Sequence, residues 1–186
     1  MTVRPILSVF SGVFAVCLFA SDSALARGSA IEFNDTRRST QWHMHTGGLS
    51  RHFEQTDASG REWNENHPGI GLEFRQRRSA RWDARYTVGF MQDSREQPGG
   101  YAGAAYVRQF NRNGDFSAAI GVGAYAFYRS RSWNGEMTLV PAILPTVSFG
   151  LFKNRVGVNI LTIPKVSLFG KRSTPLVFAQ FTFRYD

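Results

Sequence analysis

The stretch FSAAIGVGAYAFY, residues 116–128, alternates at every step. Phe116, Ala118, Ile120, Val122, Ala124, Ala126 and Tyr128 fall on one face of an extended chain. Ser117, Ala119, Gly121, Gly123, Tyr125 and Phe127 fall on the other. A period of two marks a β-strand with two different environments. Here one face is apolar throughout, and the other mixes small, polar and aromatic residues.

The same period recurs on both sides of this stretch. Val177, Ala179, Phe181, Phe183 and Tyr185 alternate with Phe178, Gln180, Thr182 and Arg184. Val156, Val158 and Ile160 oppose Arg155, Gly157 and Asn159. Ala84, Tyr86, Val88 and Phe90 oppose Arg85, Thr87 and Gly89, and Ile70, Leu72 and Phe74 oppose Gly71, Glu73 and Arg75. The pattern predicts eight strands, near 43–54, 68–78, 83–92, 100–110, 116–128, 139–149, 155–163 and 175–185. A soluble sandwich also alternates, but two features favour a membrane. Trp82, Phe110, Phe116, Tyr128, Phe149 and Tyr185 stand near strand ends, as an interfacial aromatic girdle does. The links after the second, fourth and sixth strands are short, and the other links are read as longer. An up-and-down barrel has short periplasmic turns and longer outer loops. The expected fold is therefore all-β, an eight-stranded antiparallel up-and-down transmembrane β-barrel. A closed barrel has no sheet edge to cover, so a monomer is expected.

The N-terminus predicts how the barrel reaches its membrane. Arg4 precedes an apolar run over 6–20, and Ala24-Leu25-Ala26 offers a small-x-small cleavage site. This is the layout of a secretory signal peptide over 1–26. The apolar run is short for a transmembrane helix. Cys17, the one cysteine of the chain, follows Val16 rather than the small residue that lipidation requires. Cleavage removes Arg4 and Asp22 together, so the net charge of +8 is retained. Residues 27–40 are polar and form a lead-in, with the barrel over 41–186. The expected location is the bacterial outer membrane. An exported chain with dispersed basic residues excludes a nucleic-acid role.

Barrel geometry puts the ends of the first and third strands on one outer rim. His52 lies at the first, and Asp93 and Ser94 at the second. Strands are about 4.8 Å apart, so a two-strand gap is roughly 10 Å and loop side chains can close it. Hydroxyl, imidazole and carboxylate together suggest acyl transfer, with His52 as base. Polar loops are also ordinary on a rim. His67 is a second candidate base, ranked below His52. His43 and His45 share a strand face, but with no third ligand evident no metal is assigned. The prolines are more telling. Pro68 opens the second strand, Pro141 and Pro145 lie within the sixth, and Pro164 ends the seventh. Proline donates no ladder hydrogen bond, so these positions predict local gaps, either bulges or lateral openings for a lipid chain.

The segments Val140-Pro141-Ala142-Ile143-Leu144-Pro145 and Thr162-Ile163-Pro164 resemble the sixth and seventh strands of the lipid A palmitoyltransferase family (PagP). Trp63-Asn64-Glu65-Asn66-His67-Pro68-Gly69-Ile70-Gly71 is similar to that family's first outer loop and second strand. Phe90-Met91-Gln92-Asp93-Ser94 is similar to the end of its third strand, and Trp133-Asn134 to its third outer loop. The likeness spans about 50–164, in matching order and spacing. It implies an outer-membrane acyltransferase that moves a palmitoyl-like chain from a phospholipid donor to a lipid A acceptor without a cofactor. It also implies His52, Asp93 and Ser94 as catalytic residues and Pro68, Pro141, Pro145 and Pro164 as lateral gates. Ala105 aligns with the floor of the acyl pocket. Arg129, Arg131 and the Lys171-Arg172 pair, assigned to outer loops, suit lipid A phosphates or are ordinary solvated loop charge. Residues 27–40 show no counterpart of the family's N-terminal amphipathic helix. Two other readings stay open. One is a non-catalytic outer-membrane barrel that binds lipid or a small hydrophobe. The other is a lipid A deacylase, although neither His43 nor His45 has a serine two residues on.

Overall fold

The computed structural model describes residues 40–57, 59–112, 114–165, 167–168, 171–172 and 174–185, with backbone alone at 167–168 and 171–172. The signal peptide and nearly all of the lead-in therefore lie outside the described residues. Eight long strands form the body: β1 (Thr40–His52), β2 (Asn66–Arg77), β3 (Trp82–Gln92), β4 (Pro98–Phe110), β5 (Phe116–Ser130), β6 (Met137–Leu151), β7 (Val156–Ile163) and β8 (Leu176–Tyr185). Each pairs antiparallel with its chain neighbour, and β1 pairs with β8 from Trp42↔Tyr185 to His52↔Leu176, closing the barrel. A two-residue ladder, Ser167–Leu168 with Lys171–Arg172, decorates the β7–β8 link.

The alternation read from 116–128 becomes an inside and an outside. Ser117 and Ala119 of β5 are buried while Phe116, Ile120 and Val122 point out. The outward band includes Met44, Ile70, Leu72, Phe90 and Phe181, the surface that a lipid-facing barrel needs. Near the short turns it becomes aromatic. Trp82 stacks on Tyr106 at 4.9 Å and Phe116 on Phe149 at 6.1 Å, as at a membrane interface. Each strand boundary falls close to its expected position.

The expected contrast in link length holds at only some positions. Links 53–65 and 164–175 are long, but 93–97 is as short as the turn 111–115. The reason lies in Asp93, which caps that turn by accepting the backbone N–H groups of Arg95 (2.8 Å) and Gln97 (3.0 Å). Arg129 also moves. The sequence pattern places it in an outer loop, but β5 runs on to Ser130, so Arg129 is a strand residue.

Two departures from regular pairing shape the outer half. The first is in β1, where register slips between His45 and Gly48 against β8 and between Thr46 and Gly48 against β2. His43 and His45 face inward before the slip, and Gly48, Ser50 and His52 face inward after it. An extra residue reverses which face each later side chain occupies. Without it His52 would point at lipid. The Gly47-Gly48 pair permits the bulge. A Cβ on Gly47 would strike the His67 carbonyl oxygen, and one on Gly48 would strike the Phe178 ring.

The second departure is a seam. β6 has 15 residues and β7 has 8, because Pro164 follows directly on β7. Their ladder runs only from Leu151↔Val156 to Thr146↔Leu161. Above it, residues 137–145 of β6 pair with β5 alone. Pro141 and Pro145 sit on that stretch, where an absent N–H costs least.

The interior is layered. The outer half holds an apolar cluster of Leu144, Leu161, Leu176 and Phe178, flanked by Met91, Tyr125, Phe127, Ala142 and Ile163. The half nearer the turns is charged. Arg75 Nε donates to Glu73 at 2.5 Å, Arg85 donates to the Ser148 hydroxyl at 2.6 Å, and Asn159 donates to Glu73 at 3.2 Å. Buried charges need such partners. Nearest the turns, Arg112 clamps Asp83 through two hydrogen bonds, and Gln109 donates to the same carboxylate.

Candidate active site

The outer rim is roofed by its loops. Asp57 shapes the tip of the 53–65 loop by accepting the hydroxyl and backbone N–H of Ser59 and the N–H of Arg61. Its second oxygen accepts the Trp133 indole N–H at 2.6 Å, from the β5–β6 link. The Ser59 and Trp133 bonds hold the Asp57 carboxyl below its ordinary range. Trp133 stacks toward Trp63 (6.5 Å), and the guanidinium groups of Arg61 and Arg95 lie over Trp133 and Trp63. Such cation–π contacts tie three loops together.

His52 sits under this roof, at the top of β1. Its ring stacks on Trp63 with centroids 5.1 Å apart and planes within 10°. Its backbone N–H donates to Glu65 Oε1 at 3.1 Å. That bond, first among several, holds the Glu65 carboxyl below its usual value. The ring itself meets a different partner: His52 Nδ1 lies 3.4 Å from Ser50 Oγ. Ser50 Oγ is also 2.8 Å from His67 Nε2, and His67 Nδ1 is 2.9 Å from the Gln92 carbonyl oxygen. All three side chains are buried.

Asp93 and Ser94 reach the same rim from the end of β3. Asn64 connects them to the His52 loop. Its N–H donates to the Ser94 carbonyl (3.0 Å) and its side chain donates to the Asp93 carbonyl (3.3 Å). Among the described residues, no hydrogen bond joins His52 to Asp93 or to Ser94. Asp93 is engaged elsewhere. Besides capping its own turn, it accepts the backbone N–H (2.7 Å) and the hydroxyl (2.5 Å) of Ser130 at the end of β5. Burial pushes its carboxyl up, but the Ser130, Gln97 and Arg95 bonds outweigh that and hold it below the ordinary value. Asp93 is thus a clasp between the third and fifth strand ends, not a partner of the imidazole.

The remaining sequence candidates are scattered. Ala105 lines the interior cavity beside Arg85 and Tyr125, and Met91, Phe127, Leu161 and Phe178 form its more apolar wall. His45 and Glu73 border the same cavity. His43 is fully buried in the charged layer, and neither of its ring nitrogens has a hydrogen-bond partner. Pro68 stands on β2 next to His67, against the bulge in β1. Arg131 is exposed, 3.6 Å from Glu136. Side chains of Lys171 and Arg172 lie outside the described residues. Ser50 has no place in the sequence reading, and Trp63 enters it only as the start of the Trp63-Asn64-Glu65 loop motif, with no role of its own. The pattern Ser50-Arg51-His52 does carry a signal, since positions two apart on a strand share a face.

A closed eight-stranded barrel with an apolar outer band, an aromatic girdle and a polar roof is an integral outer-membrane protein by architecture. The family follows from the chain itself: residues 34–172 match the family described as antimicrobial peptide resistance and lipid A acylation protein PagP, and the protein belongs to that family. No curated protein matches it significantly. Among solved structures it is similar to the Yersinia pestis attachment invasion locus protein Ail. A crystal structure of Ail matches at 10% identity and a TM-score of 0.43, covering 78% of this chain and 97% of Ail. Ail in a phospholipid nanodisc matches at 11% and 0.42, covering 79% and 100%. Ail bound to the heparin analogue sucrose octasulfate matches at 11% and 0.39, covering 78% and 97%.

Proposed function

We propose that the protein is an acyltransferase of the bacterial outer membrane, which moves a fatty acyl chain from a phospholipid to lipid A as a monomer. The observation that carries this reading is the layered interior. Leu144, Leu161, Leu176 and Phe178 form an apolar cluster in the outer half of the barrel, and the interior cavity is bordered both by apolar residues (Met91, Phe127, Leu161 and Phe178) and by the charged layer (Glu73, Arg85 and Asn159). A barrel that only stiffens the membrane has no need of an apolar compartment set against a charged layer. In this reading the acyl chain occupies the space bounded by Met91, Phe127, Leu161 and Phe178, with Ala105 and Arg85 at its end. The chain enters between β6 and β7, past Pro141, Pro145 and Pro164, or at the β1 bulge beside Pro68. His52 takes the proton of the attacking hydroxyl, and general-base help of this kind contributes about 10²–10⁴-fold. Ser94 is the hydroxyl partner. Asp93 contributes by holding Ser94 and the rim in place and by its negative charge. Arg131, with Arg129 behind it, meets lipid A phosphates.

A second reading, a barrel that only binds lipid, draws support from one feature: the Ser94 hydroxyl meets no imidazole among the described residues. Mass spectrometry of lipid A separates the two. Cells express wild type, Ser94→Ala or His52→Ala at matched outer-membrane levels. One added acyl chain in the wild type, lost in both variants, is the expected result. A folded wild type that adds no chain supports lipid binding alone.

A further inference from the structure

The acyl-transfer reading gives His52 its role but leaves open which ring nitrogen acts and what holds the other. The buried contacts around Ser50 answer both. A carbonyl oxygen can only accept a hydrogen bond. The Gln92 carbonyl, 2.9 Å from His67 Nδ1, therefore requires a proton on that nitrogen. A neutral His67 then has a lone pair on Nε2. That nitrogen is 2.8 Å from Ser50 Oγ, so the Ser50 hydroxyl donates to it. With its one proton committed, Ser50 Oγ can only accept from its other imidazole neighbour, His52 Nδ1 at 3.4 Å. His52 must then carry its proton on Nδ1, and its Nε2 is left as the free base.

We infer that Ser50 and His67 form a directional hydrogen-bond relay, anchored on the Gln92 carbonyl, that fixes the tautomer of His52 and so selects Nε2 as the general base. The two are positioning residues: they act through His52. The relay takes the place that a carboxylate holds in a serine hydrolase, where a group accepting Nδ1–H sets the tautomer. The neighbouring carboxylates are not available for this task. Asp93 is bound to Ser130, Arg95 and Gln97, and Glu65 accepts the His52 backbone N–H rather than the ring. Burial protects the chain of bonds. Ser50, His52 and His67 are each less than 8% exposed, and the Phe178 ring packs on the edge of His67 at 5.6 Å. The β1 bulge brings Ser50 and His52 inward together. Trp63 stacked on His52 fixes the plane of the ring.

Two-bond ¹H–¹⁵N NMR of the labelled full-length mature barrel in phospholipid nanodiscs reads imidazole tautomers without reference to activity. His52→Gln and His67→Phe assign the signals. Above the pH at which the rings protonate, wild-type His52 and His67 are both expected to carry hydrogen on Nδ1. Ser50→Ala shifts His52 toward the Nε2–H form and leaves His67 unchanged, because the Gln92 carbonyl still holds it. His67→Phe removes the acceptor, so Ser50 turns to donate to His52 Nδ1 and drives the same shift, which keeps the test open if Ser50→Ala does not refold. Finding His52 protonated on Nε2 in the wild type, or unmoved in both variants, overturns the relay. In the acyl-transfer assay Ser50→Ala is expected to lower kcat about 10- to 100-fold at unchanged KM, a part of what a general base supplies, with rescue by Ser50→Thr. If the wild type transfers acyl chains and Ser50→Ala matches its kcat, the relay is wrong and the acyltransferase reading stands. If the tautomers are as stated and the wild type transfers nothing, the relay stands and that reading falls.

Discussion

Replacing Asp93 by Asn separates a structural clasp from a catalytic carboxylate. The two oxygens of Asp93 divide their work: one accepts Arg95 and Gln97 within the turn, and the other accepts the Ser130 N–H and hydroxyl across the rim. An asparagine keeps the turn by placing its own oxygen there, but its NH₂ then confronts the Ser130 N–H, donor against donor. Hydrogen bonds to a charged acceptor contribute about 1.5–3 kcal/mol each, and an orphaned buried donor costs about 1–3 kcal/mol. Ser130 can turn its hydroxyl to accept from the new NH₂, so one bond is lost and the other three are weakened by the loss of the charged acceptor. The expected loss is about 2–4 kcal/mol. Urea unfolding in phospholipid vesicles, followed by the fluorescence of the four tryptophans, Trp63 and Trp133 of the rim among them, measures it. The pH dependence follows from the depressed carboxyl. A group whose folded value lies below its unfolded one, about 3.9 for Asp, contributes fully above the unfolded value. The contribution fades as pH falls through the folded value. The wild-type advantage over Asp93→Asn is therefore expected at neutral pH and should shrink below about pH 4. A variant as stable as wild type at pH 7, or a gap that persists unchanged into acid, refutes the clasp.

Three further outcomes are expected. Gly48→Ala puts a methyl into the Phe178 ring, and overpacking of this kind costs about 1–3 kcal/mol; the same unfolding assay reads it, and no loss would mean that the ring is free to move. Arg85→Met removes the partner of Ser148 and Asn159 and leaves Arg75 as the one guanidinium hydrogen-bonded within the Glu73 network, so a loss of about 3–5 kcal/mol is expected from a broken buried network, whereas wild-type stability would show that Arg85 is dispensable to the charged layer. Ala105→Gly opens the end of the cavity by one methyl, and acyl-chain profiling should shift toward longer chains. An unchanged profile removes Ala105 from the floor.

Most of the barrel was legible because lipid on one side and a lumen on the other impose strict alternation on every strand. That constraint fails where the backbone departs from regularity. Gly47-Gly48 announces a bulge only weakly, and its consequence, Ser50 and His52 turned inward, depends on Phe178 from the far end of the chain. His43 and His45 could be placed on one face from spacing alone, but not in a charged layer beside Arg75 and Arg85. The meeting of His52, Asp93 and Ser94 on one rim followed from strand order. Their bonding did not, since it depends on Asn64, Ser130 and the loop path. Arg129 was misplaced because a strand end is set by ladder partners, here Arg129↔Thr138 and Ser130↔Met137, which local sequence does not contain.

The short β7 and the charged floor belong to one design. The ladder between β5 and β6 joins 15 residue pairs, and the one between β6 and β7 joins 6. Each missing pair withdraws backbone hydrogen bonds, which lipid cannot replace. Such a seam is tolerable only where other parts hold the barrel shut. Below Thr146 the ladder is complete and the Glu73, Arg75, Arg85 and Asn159 network crosses the lumen, linking β2, β3 and β7 from within. Above it, where pairing stops, the lumen turns apolar. Ile143, 77% exposed, faces outward on the stretch of β6 that pairs with β5 alone. The half of the barrel that is weakly closed is thus the half whose inside and outside are both apolar. An acyl chain could cross that wall without passing a polar surface. In the acyltransferase reading, the charged layer that locks the lower half would also stop the chain, because a methyl end cannot displace a paired guanidinium without leaving a buried charge alone.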